Sequence, residues 1–197
     1  MYGLLIATAI SISLAISSKE VKRRGLDKSV YWGACFWSIL GGLVGGRIYH
    51  IVHYWDLVYK YTPDAVLYIW NGGFGIYGVL LGGLVALILY LETQYESLLP
   101  WLDIVGLVLP LAQAIGRWGN FFNYELFGKP TSLPWGIYVP AQYRPDINLI
   151  QAYYHPLFLY ESILNLILFF ALWKGKSKLY LTPGKIFFLY LAGYAAI

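Results

Sequence analysis

The sequence predicts an all-α integral membrane protein, a polytopic bundle of about six transmembrane helices with irregular segments on one side of the membrane. Of its 197 residues 59% are hydrophobic and 12% are charged, and the charged share is about half of the roughly 25% usual in soluble domains. Aromatic residues make up 19%, and most are Tyr or Trp, which concentrate at membrane interfaces. This composition excludes a water-soluble enzyme and a disordered or collagen-like chain.

Six apolar segments account for the predicted helices, because a spanning helix needs about 20 mostly apolar residues. They are 3–17, 31–53, 74–91, 98–116, 156–173 and 183–197. Cations follow the first segment rather than precede it, so we interpret it as a retained helix and not as a signal peptide. The sixth contains 15 residues, which reach about 22 Å and fall short of a hydrocarbon core of about 30 Å.

The basic residues indicate topology rather than nucleic-acid binding. The net charge is +4, and nine of the 14 Lys and Arg residues lie in 19–28 and 174–185, beside apolar segments. By the positive-inside rule these two stretches are cytoplasmic. The opposite side then receives 54–73 and 117–155, which are rich in Tyr, Trp, Gly and Pro. We expect irregular backbone there, near a polar cavity.

Glycines four residues apart predict close packing of the second and third helices. The pairs are Gly41 with Gly45, Gly42 with Gly46, and Gly78 with Gly82. Small residues at this spacing let two helix backbones approach in a membrane. The single cysteine, Cys35, excludes an internal disulfide framework.

The densest group of polar residues lies between Gly116 and Lys129. If the fourth helix continues through it, Arg117, Asn120 and Asn123 recur every three residues on one face. A guanidinium fork beside two amides suits an anion such as a phosphate. Arg117 alone could instead extend to the membrane interface. Arg47 could be either an interfacial anchor or a site residue, and Asp103 is interpreted as a helix-boundary residue.

A second polar group surrounds Pro156, which suits the first turn of a helix. His155 precedes it, and Tyr160 with Glu161 lies one turn inside. His155 could titrate near neutral pH or could bond a nearby carbonyl group. We find no metal-ligand spacing, phosphate-binding loop or serine nucleophile motif, and therefore predict no metal and no cofactor.

The segment from Gly116 to Gly128 resembles the signature of the bacterial prolipoprotein diacylglyceryl transferases. Further matching pieces occur in the family's order along nearly the whole chain: Tyr2-Gly3, Gly45-Gly46-Arg47-Ile48, Trp70-Asn71-Gly72-Gly73, His155-Pro156 with Tyr160-Glu161, and Gly193-Tyr194. The resemblance implies a transmembrane enzyme of the bacterial cytoplasmic (inner) membrane. It would transfer the diacylglyceryl group of phosphatidylglycerol to the lipobox cysteine thiol of a prolipoprotein signal peptide, forming a thioether and releasing glycerol phosphate.

The resemblance also implies roles for individual residues. Tyr2, Arg117, Asn120, Glu125 and Gly128 match the family's functional set. We expect Arg117, Tyr2, Tyr77 and Glu125 to be catalytic, and Arg117, Asn120, Asn123, Gly128, His155 and Tyr194 to bind substrate. The expected partners are phosphatidylglycerol, the prolipoprotein and membrane lipids, with no nucleic acid.

Three positions depart from the family pattern. Tyr77 stands where many members have His, and a phenol is a poor base unless a nearby cation favours its ionised form. Tyr124 replaces the usual glycine of the signature and is expected to change the local turn. The family's late arginine falls just past Ile197. We therefore expect residues 1–197 to be one transmembrane domain that is incomplete at both ends and inactive as given.

Two other functions fit parts of the same pattern. One is a non-catalytic lipid-binding membrane protein, or a fragment, with the same fold. The other is a small anion transporter that uses Arg117 as its binding site, although nothing in the sequence requires access from both sides of the membrane.

Overall fold

The computed structural model describes residues 2–144 and 150–197, except for the side chain of Tyr2. Seven α-helices are present in the described part: α1 (Tyr2–Arg23), α2 (Lys28–His53), α3 (Ile76–Thr93), α4 (Leu98–Gly116), α5 (Trp118–Asn123), α6 (Leu157–Leu179) and α7 (Lys185–Ala195). Five helical spans are long and apolar enough to cross a membrane, and α7 is a shorter apolar helix. The predicted all-α, multi-pass membrane fold is confirmed.

Two helices extend further into basic sequence than predicted. Helix α1 continues to Arg23, and Lys22 and Arg23 occupy its last turn. Helix α6 likewise continues to Leu179 through Lys176 and Lys178. The predicted ends of these two helices, at residues 17 and 173, are therefore wrong. Cations stabilise the negative end of the helix dipole, and long basic side chains can reach the interface from within a helix.

One compact unit comprises residues 21–98 and contains α2 and α3. Asp27 caps α2 by accepting a hydrogen bond from the backbone N–H of Ser29 at 2.6 Å. The two helices pack through the predicted glycines: a Cβ added at Gly45 would lie 2.8 Å from the Cα of Gly82. Backbone therefore lies against backbone, as the four-residue spacing predicts.

The segment after α2 is irregular, as predicted. It contains a π-helical turn, Trp55–Tyr59, and the 3-10 turns Pro63–Leu67 and Ile69–Asn71. The buried Arg47 guanidinium donates hydrogen bonds to four backbone carbonyl oxygens, those of Ala65, Val66, Gly72 and Gly73, over 2.6–3.3 Å. Arg47 thus fastens this segment to the end of α2, a role that neither alternative from the sequence included.

The other compact unit comprises residues 1–20 and 99–197. Leu107 of α4, Leu172 of α6, and Ile186 and Tyr190 of α7 form its hydrophobic core. At the end of this core Asp103 is buried and accepts hydrogen bonds from the backbone at the start of α7. The sequence interpretation placed Asp103 near the start of α4 but did not predict that its carboxylate contacts another helix.

A short antiparallel sheet was not predicted. Strand β1 (Ile137–Tyr138) pairs with β2 (Tyr153–Tyr154), and Pro130 forms a further bridge to Tyr154. Two-residue strands are too short to show the alternating pattern by which strands are recognised in sequence. Both strands lie between α5 and α6, and the sheet holds the first part of that segment against the part that leads into α6.

We expect the basic helix ends to face the cytoplasm and the sheet segment to face outside, because of the cation asymmetry. The test places single cysteines at the exposed positions Lys22 and Ser132 after Cys35→Ala removes the native thiol. An impermeant thiol reagent applied to intact cells should label position 132 and not position 22, whereas both should react after permeabilisation. Labelling of position 22 alone in intact cells would show the inverted orientation.

Candidate functional site

Arg117 lies where α4 gives way to the short helix α5. Helix α4 ends at Gly116, and Arg117 is a turn residue before Trp118 whose backbone remains helical, with φ −58° and ψ −26°. The backbone N–H of Asn120 bonds the Arg117 carbonyl at 3.1 Å, the three-residue spacing of a tighter turn. Residues three positions apart lie above one another in such a turn, so the tighter turn at Arg117 does not contradict the predicted common face of Arg117, Asn120 and Asn123.

Helices α6 and α7 supply the partners of Arg117. Its Nη2 lies 2.5 Å from Oε2 of Glu161 in the first turns of α6, and the same nitrogen donates to the Tyr194 hydroxyl of α7 at 3.4 Å. About a quarter of the surface of each charged side chain is exposed, 26% for Arg117 and 28% for Glu161. Among the described residues the Nε and Nη1 groups of Arg117 have no hydrogen-bond partner, so three of its five N–H donors are available to an anion.

His155 belongs to a neighbouring hydrogen-bonded chain. Trp135 donates through Nε1 to the Tyr160 hydroxyl at 2.8 Å, and that hydroxyl lies 3.1 Å from Nδ1 of His155. The imidazole therefore bonds a phenol rather than the carbonyl group considered from the sequence. Glu161 follows Tyr160 directly, so one turn of α6 carries contacts to both Arg117 and His155.

Gly128 is held against His155 by the backbone. Its N–H donates to the His155 carbonyl at 2.8 Å, and a Cβ added at Gly128 would lie 2.8 Å from the Cβ of His155. A side chain at Gly128 would force these two segments apart. This close approach gives a structural reason for glycine at the end of the signature segment.

The polar residues after Arg117 surround a strained turn. Asn120 is buried, and Nδ2 of Asn123 donates to Oε1 of the exposed Glu125 at 3.4 Å. Tyr124, at the position where the family has glycine, has φ 54° and ψ 42°, a left-handed conformation that costs a non-glycine residue on the order of 1 kcal/mol. Its ring stacks on Tyr143 with 4.9 Å between centroids. The stacking offsets part of that strain.

Tyr77 lies in the unit formed by residues 21–98. It is 65% exposed and lines a cavity of about 540 Å³ with Tyr49, His50 and His53. Its ring centroid is 5.9 Å from that of Tyr49. In the described part of the chain Tyr77 has no cation–π contact.

Tyr2 begins α1, but its side chain lies outside the described residues. Residues 145–149, between α5 and α6, are also outside them. No group of three or more His, Cys, Asp or Glu side chains that could hold a metal ion occurs in the part of the chain that is described.

Glu161 is the site residue that the sequence interpretation did not assign. Arg117 and Glu161 are far apart in the chain, and no local spacing relates them. A physical signal existed nonetheless, because a cation at the end of a membrane helix requires a partner, and carboxylates within helices are few. Glu161, one turn inside the predicted fifth membrane helix, was the candidate partner on the same side of the membrane.

Comparison with known proteins gives a family match over the whole chain. The family described as prolipoprotein diacylglyceryl transferase matches residues 1–197. A protein of Thermosynechococcus vestitus named phosphatidylglycerol--prolipoprotein diacylglyceryl transferase is 40% identical over 98% of this chain and 72% of the relative. Relatives with the same name from Nostoc sp. and Synechococcus elongatus are 39% and 40% identical over 98% of this chain, and the matches cover 70% and 68% of their own lengths.

Proposed function

The chain belongs to the prolipoprotein diacylglyceryl transferase family, and we propose from this membership that it transfers the diacylglyceryl group of phosphatidylglycerol to the lipobox cysteine of prolipoproteins. We place it by the same proposal in the cytoplasmic membrane of a bacterium. The observation that supports this most directly is Arg117, a half-buried cation with three N–H donors available beside Tyr194. A phosphodiester headgroup is the part of the lipid that such a cation would bind.

The reaction joins sulfur to carbon. The cysteine sulfur attacks the glycerol carbon that bears the phosphate ester, a C–S bond forms, and the C–O bond to phosphate breaks. The electron pair leaves with glycerol phosphate, and the thiol proton passes to a base. The protein must therefore stabilise negative charge on the departing phosphate and favour a thiolate, since a free thiol is mostly protonated near neutral pH.

Arg117 meets the first requirement. The ion pair with Glu161 fixes one edge of the guanidinium and neutralises its charge while no phosphate is bound, which lowers the cost of keeping a cation in a poorly solvated place. The remaining donors can bind phosphate oxygens, and their hydrogen bonds strengthen as charge accumulates on the leaving group. Catalysis then comes from donors already oriented before the reaction.

The other predicted residues divide into two proposed roles. Asn120, Asn123, Gly128, His155 and Tyr194 bind substrate together with Arg117, and the contacts of Gly128 with His155 and of Tyr194 with Arg117 support this grouping. Glu125 and Tyr2 are proposed to be catalytic because they match the family's residues, and Tyr77 because it stands at the position where the resemblance implies His. For Glu125 the contact with Asn123 is the supporting geometry.

The test is a transfer assay with the purified protein, extended to include the late arginine that the resemblance implies, in vesicles of phosphatidylglycerol and a peptide that contains a lipobox cysteine. We expect the peptide to gain the mass of one diacylglyceryl group as glycerol phosphate appears in equal amount. A peptide with serine in place of the cysteine, and vesicles of phosphatidylcholine alone, are the controls and should give no product. Lipid binding without any modified peptide would contradict the transferase and favour a non-catalytic lipid-binding protein.

A further inference from the structure

Asp103 is an ionisable residue buried within a helix of the membrane-spanning part of the chain, and the reaction above does not use it. It is 1% exposed. Its Oδ2 accepts a hydrogen bond from the backbone N–H of Gly184 at 2.8 Å, and its Oδ1 accepts one from Phe187 at 2.9 Å. Gly184 is the N-cap residue of α7, and Phe187 lies in its first turn. A carboxylate of α4 therefore caps a helix whose N-cap residue lies 81 residues later in the chain.

Helix α7 depends on this external cap. The residue at its own N-cap position is Gly184, which has no side chain to accept a hydrogen bond and adopts φ 88°. The free N–H groups at a helix start need acceptors, above all where water is scarce. A carboxylate there also interacts favourably with the helix dipole. Both oxygens of Asp103 are used, which fixes α7 along α4 and around its own axis.

From this cap a series of contacts continues along the two helices to Arg117. A Cβ added at Gly106 would lie 2.8 Å from the Cα of Phe187, so the helices touch through backbone next to the cap. Farther along, Gln113 donates to the Tyr190 hydroxyl at 3.0 Å. The ring of Tyr190 stacks on that of Tyr194 at 6.0 Å, and Tyr194 accepts from Arg117.

We propose that Asp103 is a positioning residue for the transfer reaction: by capping α7 it fixes the height at which Tyr194 meets Arg117. The argument rests on the proposed function, since it assigns importance to the orientation of Arg117. The contact of Tyr194 with Arg117 is long, 3.4 Å, so a small displacement of α7 breaks it. Loss of the cap lets α7 shift and leaves the guanidinium held by Glu161 alone.

The test is Asp103→Asn, which keeps the size of the side chain but replaces one acceptor oxygen by an NH2 group. Activity is measured in the peptide assay at varied phosphatidylglycerol content. We expect kcat to fall about 10- to 100-fold, the scale of effect that a misplacement of about 1 Å produces, with little change in KM. Glu20→Gln is the matched control, because Glu20 is a buried carboxylate of the same unit that pairs with Lys176 at 3.0 Å. Its kcat per folded molecule should match that of the unmodified chain.

A double-variant comparison separates positioning from loss of structure. In a Tyr194→Phe background, where the hydroxyl contact with Arg117 is already gone, Asp103→Asn should reduce kcat by no more than twofold further. The inference would be overturned if the reduction of kcat in the double variant equalled the product of the two single-variant reductions. It would also be overturned if Asp103→Asn left kcat per folded molecule unchanged. Failure of the extended protein without substitutions to transfer at all would contradict the proposed function instead, and the two failures are therefore distinguishable.

Discussion

Replacement of Arg117 by lysine is expected to lower the rate of diacylglyceryl transfer about 100- to 1,000-fold, the usual effect of removing one oriented donor to a developing negative charge. Lysine keeps the charge but has a single ammonium group. Arginine can bond Glu161 and Tyr194 through one nitrogen while its other nitrogens donate to a phosphate in a fixed plane, and one ammonium group cannot do both. The measurement is kcat in the peptide assay at saturating phosphatidylglycerol.

Removal of an exposed cation in the segment between α5 and α6 serves as the control. Lys129→Gln removes a charge close to Gly128 in the sequence, and its side chain has no contact with Arg117 or Glu161 among those described. It should retain near-normal kcat. If Arg117→Lys also turned over at a rate close to that of the unmodified chain, the proposed role of the guanidinium would be wrong.

Replacement of Arg47 by lysine is expected to release the segment 54–73 from the end of α2. The guanidinium makes five hydrogen bonds to four carbonyl oxygens, and an ammonium has three donors without the planar geometry to reach them together. Leaving buried acceptors unpaired costs about 1 to 3 kcal/mol each, reduced where water can reach them. A net loss of about 3 kcal/mol would raise the open population of the segment about 100-fold.

Limited digestion with trypsin measures that opening, because Lys60 is an exposed residue within the segment. We expect the cleavage rate at Lys60 to rise about 100-fold in Arg47→Lys when opening is rapid relative to cleavage. Lys28→Arg at the opposite end of α2 preserves a trypsin site and should leave the rate at Lys60 unchanged. An unchanged rate in Arg47→Lys would show that the carbonyl contacts do not hold the segment.

The sequence by itself determined the membrane helices and the segment that carries the site. Apolar length alone identified 98–116, whose limits coincide with those of α4, because a helix in lipid must satisfy its own backbone and cover the hydrocarbon thickness. The four-residue spacing of Gly41, Gly45, Gly78 and Gly82 likewise predicted the packing of α2 on α3, since close backbone contact depends only on the absence of side chains.

Only the tertiary structure decided which partner each buried charge has. Arg117 pairs with Glu161, Arg47 with carbonyl groups, and Asp103 with the start of α7. A buried charge needs a compensating group, and the sequence therefore shows that a partner must exist. It does not show which group is the partner, because carbonyl groups occur at every residue and the ends of helices are not marked by a particular residue type. The partner is fixed by the side-by-side arrangement of helices that lie far apart in the chain.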